Sequence, residues 1–139
     1  KYSDDKNIHF IGYSNDPIFW TNSFDVGLLP TTFKSESLPT IIIEYLFCGK
    51  PVISTDIGEI SQMITIDGKK AGFVLSLDSE ERVNSQEIVD CMKIYLNNHQ
   101  LLEKHSSLAK KAFSKFKMQK CVDEYSTLYR CTLNNFVQA

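Results

Sequence analysis

The sequence predicts an α/β domain: a parallel sheet of about four strands with flanking helices, followed by a helical carboxy-terminal tail. Three observations lead there. Four short apolar runs, Ile8–Tyr13, Asp25–Pro30, Pro51–Asp56 and Ala71–Leu77, are bounded by turn residues and are mostly continuous rather than alternating, as suits strands buried on both faces. Between them lie Asp16–Ser23, Leu38–Cys48 and Glu59–Ile66, segments long enough for crossover helices. From Asn84 onward the apolar spacing becomes helical.

Taken in order, Ile8–Tyr13 is closed by Gly12, and Asp25–Pro30 ends at its proline. The next segment is ambiguous. Thr40, Ile41, Ile42 and Ile43 are β-branched and favour a strand, and Cys48–Pro51 would serve as the turn of a hairpin into Val52. Against that, Pro39 suits a first helical turn, Gly49 a position just past a helix end, and Lys50 the negative end of the dipole. Helix is the reading adopted. Asn84 followed by Glu87 resembles a capping box, and Ile88, Met92, Tyr95 and Leu96 recur at helical spacing. A break at Asn97 and Asn98 precedes a second helix carrying Leu101, Leu102, Leu108, Ala112 and Phe116. A third helix runs from Met118 to Phe136, with Val122, Tyr125, Leu128 and Tyr129 inward. Residues 1–83 are thus expected to form the α/β core, and 84–139 a helical tail packed on the same domain.

The chain has 139 residues, enough for one core. Its 42% hydrophobic, 12% aromatic and 23% charged content excludes a disordered or collagenous chain. No apolar run approaches the roughly 20 residues of a membrane span, and the polar start Lys1–Asn7 has no export-signal pattern. A cytoplasmic location is therefore the expectation. Cys48, Cys91, Cys121 and Cys131 are scattered, with only His9, His99 and His105 to join them, so neither a disulfide framework nor a metal site is expected. With 15 Lys+Arg against 17 Asp+Glu the net charge is -2, which gives nucleic acid no electrostatic footing. The charge is uneven, however. Lys104, Lys110, Lys111, Lys115, Lys117 and Lys120 occupy a stretch without acids, which reads first as a solvated helix surface and second as a docking patch for anionic lipid or a partner.

The informative segment is Phe33–Pro51. Glu36 sits on the loop that opens the helix beginning near Leu38 or Pro39, while Glu44 lies one to two turns inside it. Ligands of open α/β sheets bind outside the carboxyl ends of the strands, where a helix start offers unpaired amides to phosphate oxygens. An ionised glutamate is acceptor-only and takes two hydrogen bonds from a vicinal diol, so a phosphorylated sugar or nucleotide fits this pair. Spacing alone is weak, since two glutamates eight positions apart are more often solvated helix charges.

Five blocks in order raise the odds: Ile-His-Phe-Ile-Gly-Tyr, Phe-Asp-Val-Gly-Leu-Leu-Pro, Glu-Ser-Leu-Pro-Thr-Ile-Ile-Ile-Glu, Cys-Gly-Lys-Pro-Val-Ile-Ser-Thr-Asp and Ile-Gly-Glu-Ile. Across about Ile8–Tyr129 the chain resembles the group 1 (family 4) retaining glycosyltransferases of the GT-B fold, in their Rossmann-like carboxy-terminal domain. The resemblance implies a helix over Pro39–Phe47. It also implies that Glu36 contacts donor-sugar hydroxyls, that the backbones of Ser37 and Leu38 approach sugar or phosphate, and that Glu44 holds the nucleotide ribose. Gly12 and Tyr13 resemble the region lining the base pocket, a weaker transfer. Ser37 and Glu59 stand where glycine is frequent, and Gln62 where glutamate is, which leaves the substrate open.

The implied function is transfer of a sugar from a nucleoside diphosphate sugar to a glycan or lipid-linked acceptor with retention, in surface polysaccharide or glycoconjugate biosynthesis, without a metal or other cofactor. The first two strands of the family's domain, its basic pair for the pyrophosphate and its amino-terminal domain find no match here; Lys34 and Lys50 do not replace that pair. The chain is therefore expected to be an incomplete second half of a GT-B fold, inactive alone, with Ile8–Tyr13 displaced or paired with another chain's edge. Peripheral contact with the inner membrane face is compatible with the basic helix. Two rivals stand: another GT-B enzyme, such as a nucleotide-sugar epimerase or phosphorylase, and a non-catalytic α/β interaction module.

Overall fold

The computed structural model describes residues 5–137; Lys1–Asp4, part of the polar start, and the last two residues lie outside. The elements run α1 (Pro17–Asn22), β1 (Gly27–Leu29), α2 (Thr40–Phe47), β2 (Val52–Thr55), α3 (Ile60–Met63), β3 (Thr65–Ile66), β4 (Lys69–Lys70), β5 (Gly72–Leu75), α4 (Ser85–Asn97), α5 (His99–Ala112), a 3-10 turn (Phe113–Phe116) and α6 (Met118–Val137). The main sheet is parallel, in the order β1-β2-β5, with Gly27 opposite Val52 and Val52 opposite Gly72. The expected α/β architecture with a parallel sheet, flanking helices and a carboxy-terminal helix is present.

Helix ends follow the side chains at hand. Asp16 accepts from the Phe19 amide at 2.9 Å ahead of Pro17, Asn84 from Gln86 at 3.0 Å and Asn98 from Leu101 at 3.0 Å, each satisfying one orphan amide of its helix. The segment Thr40–Phe47 is helical, which decides between the two readings. Helical spacing buries Ile42, Tyr45 and Leu46 together, an apolar gain that outweighs the small propensity cost of β-branched residues. Gly49 closes this helix at φ +68. Its amide donates to the Leu46 carbonyl at 3.0 Å and that of Lys50 to Tyr45 at 2.8 Å, the paired pattern of a Schellman end that requires a left-handed residue.

The core lies on both faces of the sheet. One side joins Ile42, Leu46, Val52, Ile60, Ile64 and the buried residues of α5; the other joins Ile53, Leu75, Cys91 and Tyr95. Helix α5 is fastened to α2 by the Ser106 hydroxyl, which donates to the Gly49 carbonyl at 2.7 Å, and by the edge-on Phe47–Phe113 pair at 5.1 Å. Two close approaches set the sheet. A side chain on Gly27 would enter the Tyr45 ring, and one on Gly72 would lie 1.9 Å from the Val52 carbonyl oxygen.

Three expectations are corrected. Ile8–Tyr13, expected as a strand though a displaced one, forms no ladder with the described residues; it lies exposed, with Gly12 at φ +68 breaking extended backbone, so among the described residues the parallel sheet has three strands. Glu59–Ile66 is helical only over Ile60–Met63, and the following residues make the β3–β4 hairpin around Asp67 and Gly68. Of the residues at helical spacing on α4, Ile88 and Tyr95 pack inward beside Cys91, while Met92 and Leu96 are exposed. On α6, Val122, Tyr125, Leu128 and Tyr129 are exposed rather than inward, since the helix leaves the domain after the 3-10 turn.

Candidate functional site

The loops after β1, β2 and β5 meet at the carboxyl edge of the sheet. The Ser54 hydroxyl donates to Leu29 at 2.6 Å and the Thr55 hydroxyl to Thr31 at 2.5 Å, so the end of β2 anchors the start of the Pro30–Pro39 loop. Within that loop the Glu36 amide donates to Phe33 at 3.0 Å. An exposed ion pair, Lys34–Glu81 at 2.5 Å, ties it to the turn after β5; at the surface such a pair contributes little.

The closest contact comes from the β2–α3 turn. Gly58 has φ +54, and a Cβ there would stand 1.7 Å from the Glu36 carbonyl oxygen. The next amide, Glu59, donates to the Ser37 carbonyl at 3.1 Å. Backbone is thus laid on backbone at the two residues expected to face a sugar, and only glycine allows it. The Ile-Gly-Glu-Ile block marked this turn in the sequence, but the contact between it and Glu36 is long-range and has no local signal.

Glu36 and Glu44 are both partly buried, whereas Ser37 and Leu38 are exposed. Glu44 sits in the middle of α2, and the helix starts at Pro39 without a side-chain cap; the Ile42 amide donates to the Pro39 carbonyl at 3.1 Å, leaving those of Thr40 and Ile41 to solvent or a ligand. Burial raises the pKa of Tyr45, with the Glu44 charge adding to it and a hydrogen bond to the Leu28 carbonyl opposing. Burial likewise pushes up the Cys48 thiol, against the effect of Lys50. Gly12 and Tyr13 are exposed, Tyr13 to 92%, and no hydrogen bond between described residues joins them to Glu36, Ser37, Leu38 or Glu44. Five surface pockets stand out among the described residues; Leu38 lines one, together with Glu59, Gln62 and Phe116, and Glu36 and Glu44 line none.

No three of the described His, Cys, Asp and Glu residues converge in a way that could hold a metal ion, and the four cysteines are free thiols. No helix among the described residues is long and apolar enough to cross a membrane.

A parallel α/β sheet with a held loop and an uncapped helix start at its carboxyl edge has the arrangement in which open sheets of this kind bind their ligands. The family profile described as Glycosyl transferases group 1 matches residues 1–97; the chain belongs to that family, and its role is in glycosyl transfer. The match spans every element from α1 through α4 and includes the Glu36–Glu44 segment. Comparison with curated proteins gives no match.

Proposed function

We propose that this chain supplies the donor-binding part of a retaining family 4 glycosyltransferase of GT-B architecture, which moves a hexose from a nucleoside diphosphate sugar to a glycan or lipid-linked acceptor. One observation carries the reading: the Glu36–Ser37 backbone is fixed against Gly58 and Glu59 at the mouth of α2, inside the segment that the family profile covers. A loop so held keeps its carboxylate and amides in place before a ligand arrives, which is the condition for electrostatic stabilisation of developing charge.

In this reading the first-turn amides of α2 and the Ser37 and Leu38 backbone meet the diphosphate as its negative charge grows. Glu36 accepts hydrogen bonds from donor-sugar hydroxyls and orients the anomeric carbon; it is not a nucleophile. Glu44 accepts from the two ribose hydroxyls. Gly12 and Tyr13 have the lesser role of lining the base. The chemistry needs no metal, because backbone dipoles and basic groups supplied by the rest of a GT-B enzyme neutralise the leaving group. The reading places the work at the cytoplasmic membrane face, in polysaccharide or glycoconjugate synthesis.

A thermal-shift panel of UDP, GDP and their sugars, run with and without chelator, tests it. One nucleotide should raise Tm in proportion to occupancy, chelator should leave the shift intact, and Glu44→Ala should abolish it without lowering the unliganded Tm by more than a few degrees. Stabilisation by a free sugar phosphate alone would sink the transferase reading in favour of another GT-B activity, and no shift with any of them would favour an interaction module.

A further inference from the structure

The pocket that Leu38 lines adjoins the held loop. It measures about 220 Å³, the size of a niche for one substituent of a ligand, and its other walls are Glu59, Gln62 and Met63 at α3 with Lys115 and Phe116 of the 3-10 turn. Leu38 is two residues beyond Glu36, at most about 7 Å along extended backbone. The turn that carries Glu59 is the one laid on the Glu36–Ser37 backbone, through the Glu59 amide and the Ser37 carbonyl at 3.1 Å. A sugar ring held at Glu36 therefore has this pocket beside it.

The lining has two characters. Leu38, Met63 and Phe116 supply carbon. Glu59 and Gln62, three positions apart across the start of α3, are exposed, and among the described residues neither side chain is taken up by a hydrogen bond or an ion pair. Lys115 is differently placed: its ammonium donates to the Gln62 and Thr65 carbonyls at 2.5 and 2.7 Å, which occupies two of its three protons. The pocket thus offers an apolar floor, one carboxylate acceptor and one carboxamide. Glu59 and Gln62 are also two of the positions whose residue types left the substrate open in the sequence.

We infer that this pocket receives the acetamido group of an N-acetylhexosamine donor, and that Glu59 and Gln62 select that sugar; the inference rests on the donor-binding reading above. An acetamido group carries one N–H, one carbonyl and one methyl. The Glu59 carboxylate accepts from the N–H, the Gln62 carboxamide donates to the carbonyl, and the methyl lies against Leu38, Met63 and Phe116. A plain hexose puts a hydroxyl there, which bonds Glu59 but leaves the carbon floor and the Gln62 donor without a partner. An acidic sugar would bring its carboxylate against that of Glu59, with Lys115 already engaged. Selection then comes from a difference in satisfied contacts and from like-charge exclusion.

Thermal titrations of the 139-residue chain test it, with UDP, UDP-glucose, UDP-galactose and the N-acetyl counterparts of both sugars, and GDP and GDP-mannose alongside. An N-acetyl sugar nucleotide should bind about tenfold or more tighter than its parent hexose form. Gln62→Ala and Glu59→Ala, both at exposed positions, should each cut that ratio by about three- to tenfold. The ratio is the decisive readout, because a disturbed loop or fold weakens both sugars alike and leaves it unchanged. Equal binding of N-acetyl and parent forms, tighter binding of GDP-mannose than of either N-acetyl form, or a ratio indifferent to both substitutions would overturn the inference while the donor-binding reading stood. No shift with any nucleotide would overturn that reading, and this inference with it.

Discussion

The sheet and the two ends of the chain use the same apolar vocabulary with opposite results. In β2, the four residues Val52–Thr55 are all buried, flanked by β1 and β5 with helices above and below. In α6 an amphipathic pattern just as regular leaves Met118, Val122, Tyr125, Leu128, Tyr129 and Leu133 exposed, and the run at Ile8 behaves likewise. Periodicity states which face of an element wants cover; whether cover exists depends on neighbours that the periodicity does not name. The close approach at Gly72, which sets the sheet, lies on the covered side of this divide, whereas the one at Gly58, which holds the site, lies at the surface.

The largest effect should come from breaking the covered region at its tightest point. Gly72→Ala would put a methyl group 1.9 Å from the Val52 carbonyl oxygen, at φ +157, at the first pair of the β2–β5 ladder. Neither backbone has room to yield, so urea denaturation should show a loss on the order of 3–5 kcal/mol or no cooperative transition. A loss below about 1 kcal/mol would mean that the ladder slides freely, and the contrast between the regions would lose its basis.

Next in size is Gly58→Ala, which separates site from fold. The added carbon collides with the Glu36 carbonyl, and the residue is held at φ +54, while the turn lies at the surface. The expected cost is roughly 1–3 kcal/mol of stability, with the nucleotide-dependent thermal shift lost altogether because the Glu36–Ser37 backbone is pushed from its place. If the variant kept a full ligand shift, the clamp would be incidental to binding.

How much of this was legible follows the same division. The Rossmann-like sheet and the helix from Thr40 could be read, the latter because Pro39 and Gly49 punctuate it even where four β-branched residues argue otherwise. The Glu36 and Glu44 positions were legible as a motif, but the Gly58–Glu36 contact was not, since it joins segments brought together only by the parallel pairing of β1 and β2. The β3–β4 hairpin has its own signal in the sequence: Asp67-Gly68, with φ +50 and +69, is among the strongest short-range turn signals, masked here by an apolar spacing that also suits a helix. Val122, Tyr125 and Tyr129 were read as inward because a helical period implies a buried face only when something lies opposite it.

A smaller effect belongs to the seam between α4 and α5. Tyr95 and His105 Nδ1 share a hydrogen bond of 2.8 Å, with Phe73 packed edge-on to the imidazole. Burial, with Lys104 adding to it, holds the His105 pKa below its ordinary 6.5. The folded chain therefore stays neutral at His105 where the unfolded chain takes up a proton, so this residue's share of stability is complete above about pH 6.5 and falls as pH drops through that value towards the lowered one. Thermal melts between pH 7.5 and about 5 should show a slope that His105→Gln flattens; an equal slope in both proteins would place the titration elsewhere.

The smallest effect should be found on α6, and its smallness is informative. Tyr125 and Tyr129 form a tilted ring pair at 6.4 Å and are 58% and 64% exposed. Replacing both by serine removes an aromatic pair of helix neighbours, worth about 0.5 kcal/mol, and some helix propensity. Denaturation of the whole domain should shift by no more than roughly 0.5 kcal/mol, with m unchanged, because the main contact of α6 with the domain is the 3-10 turn at Phe113–Phe116. A loss above about 2 kcal/mol would show that these tyrosines have cover in solution, and would move α6 from the open side of the comparison to the closed one.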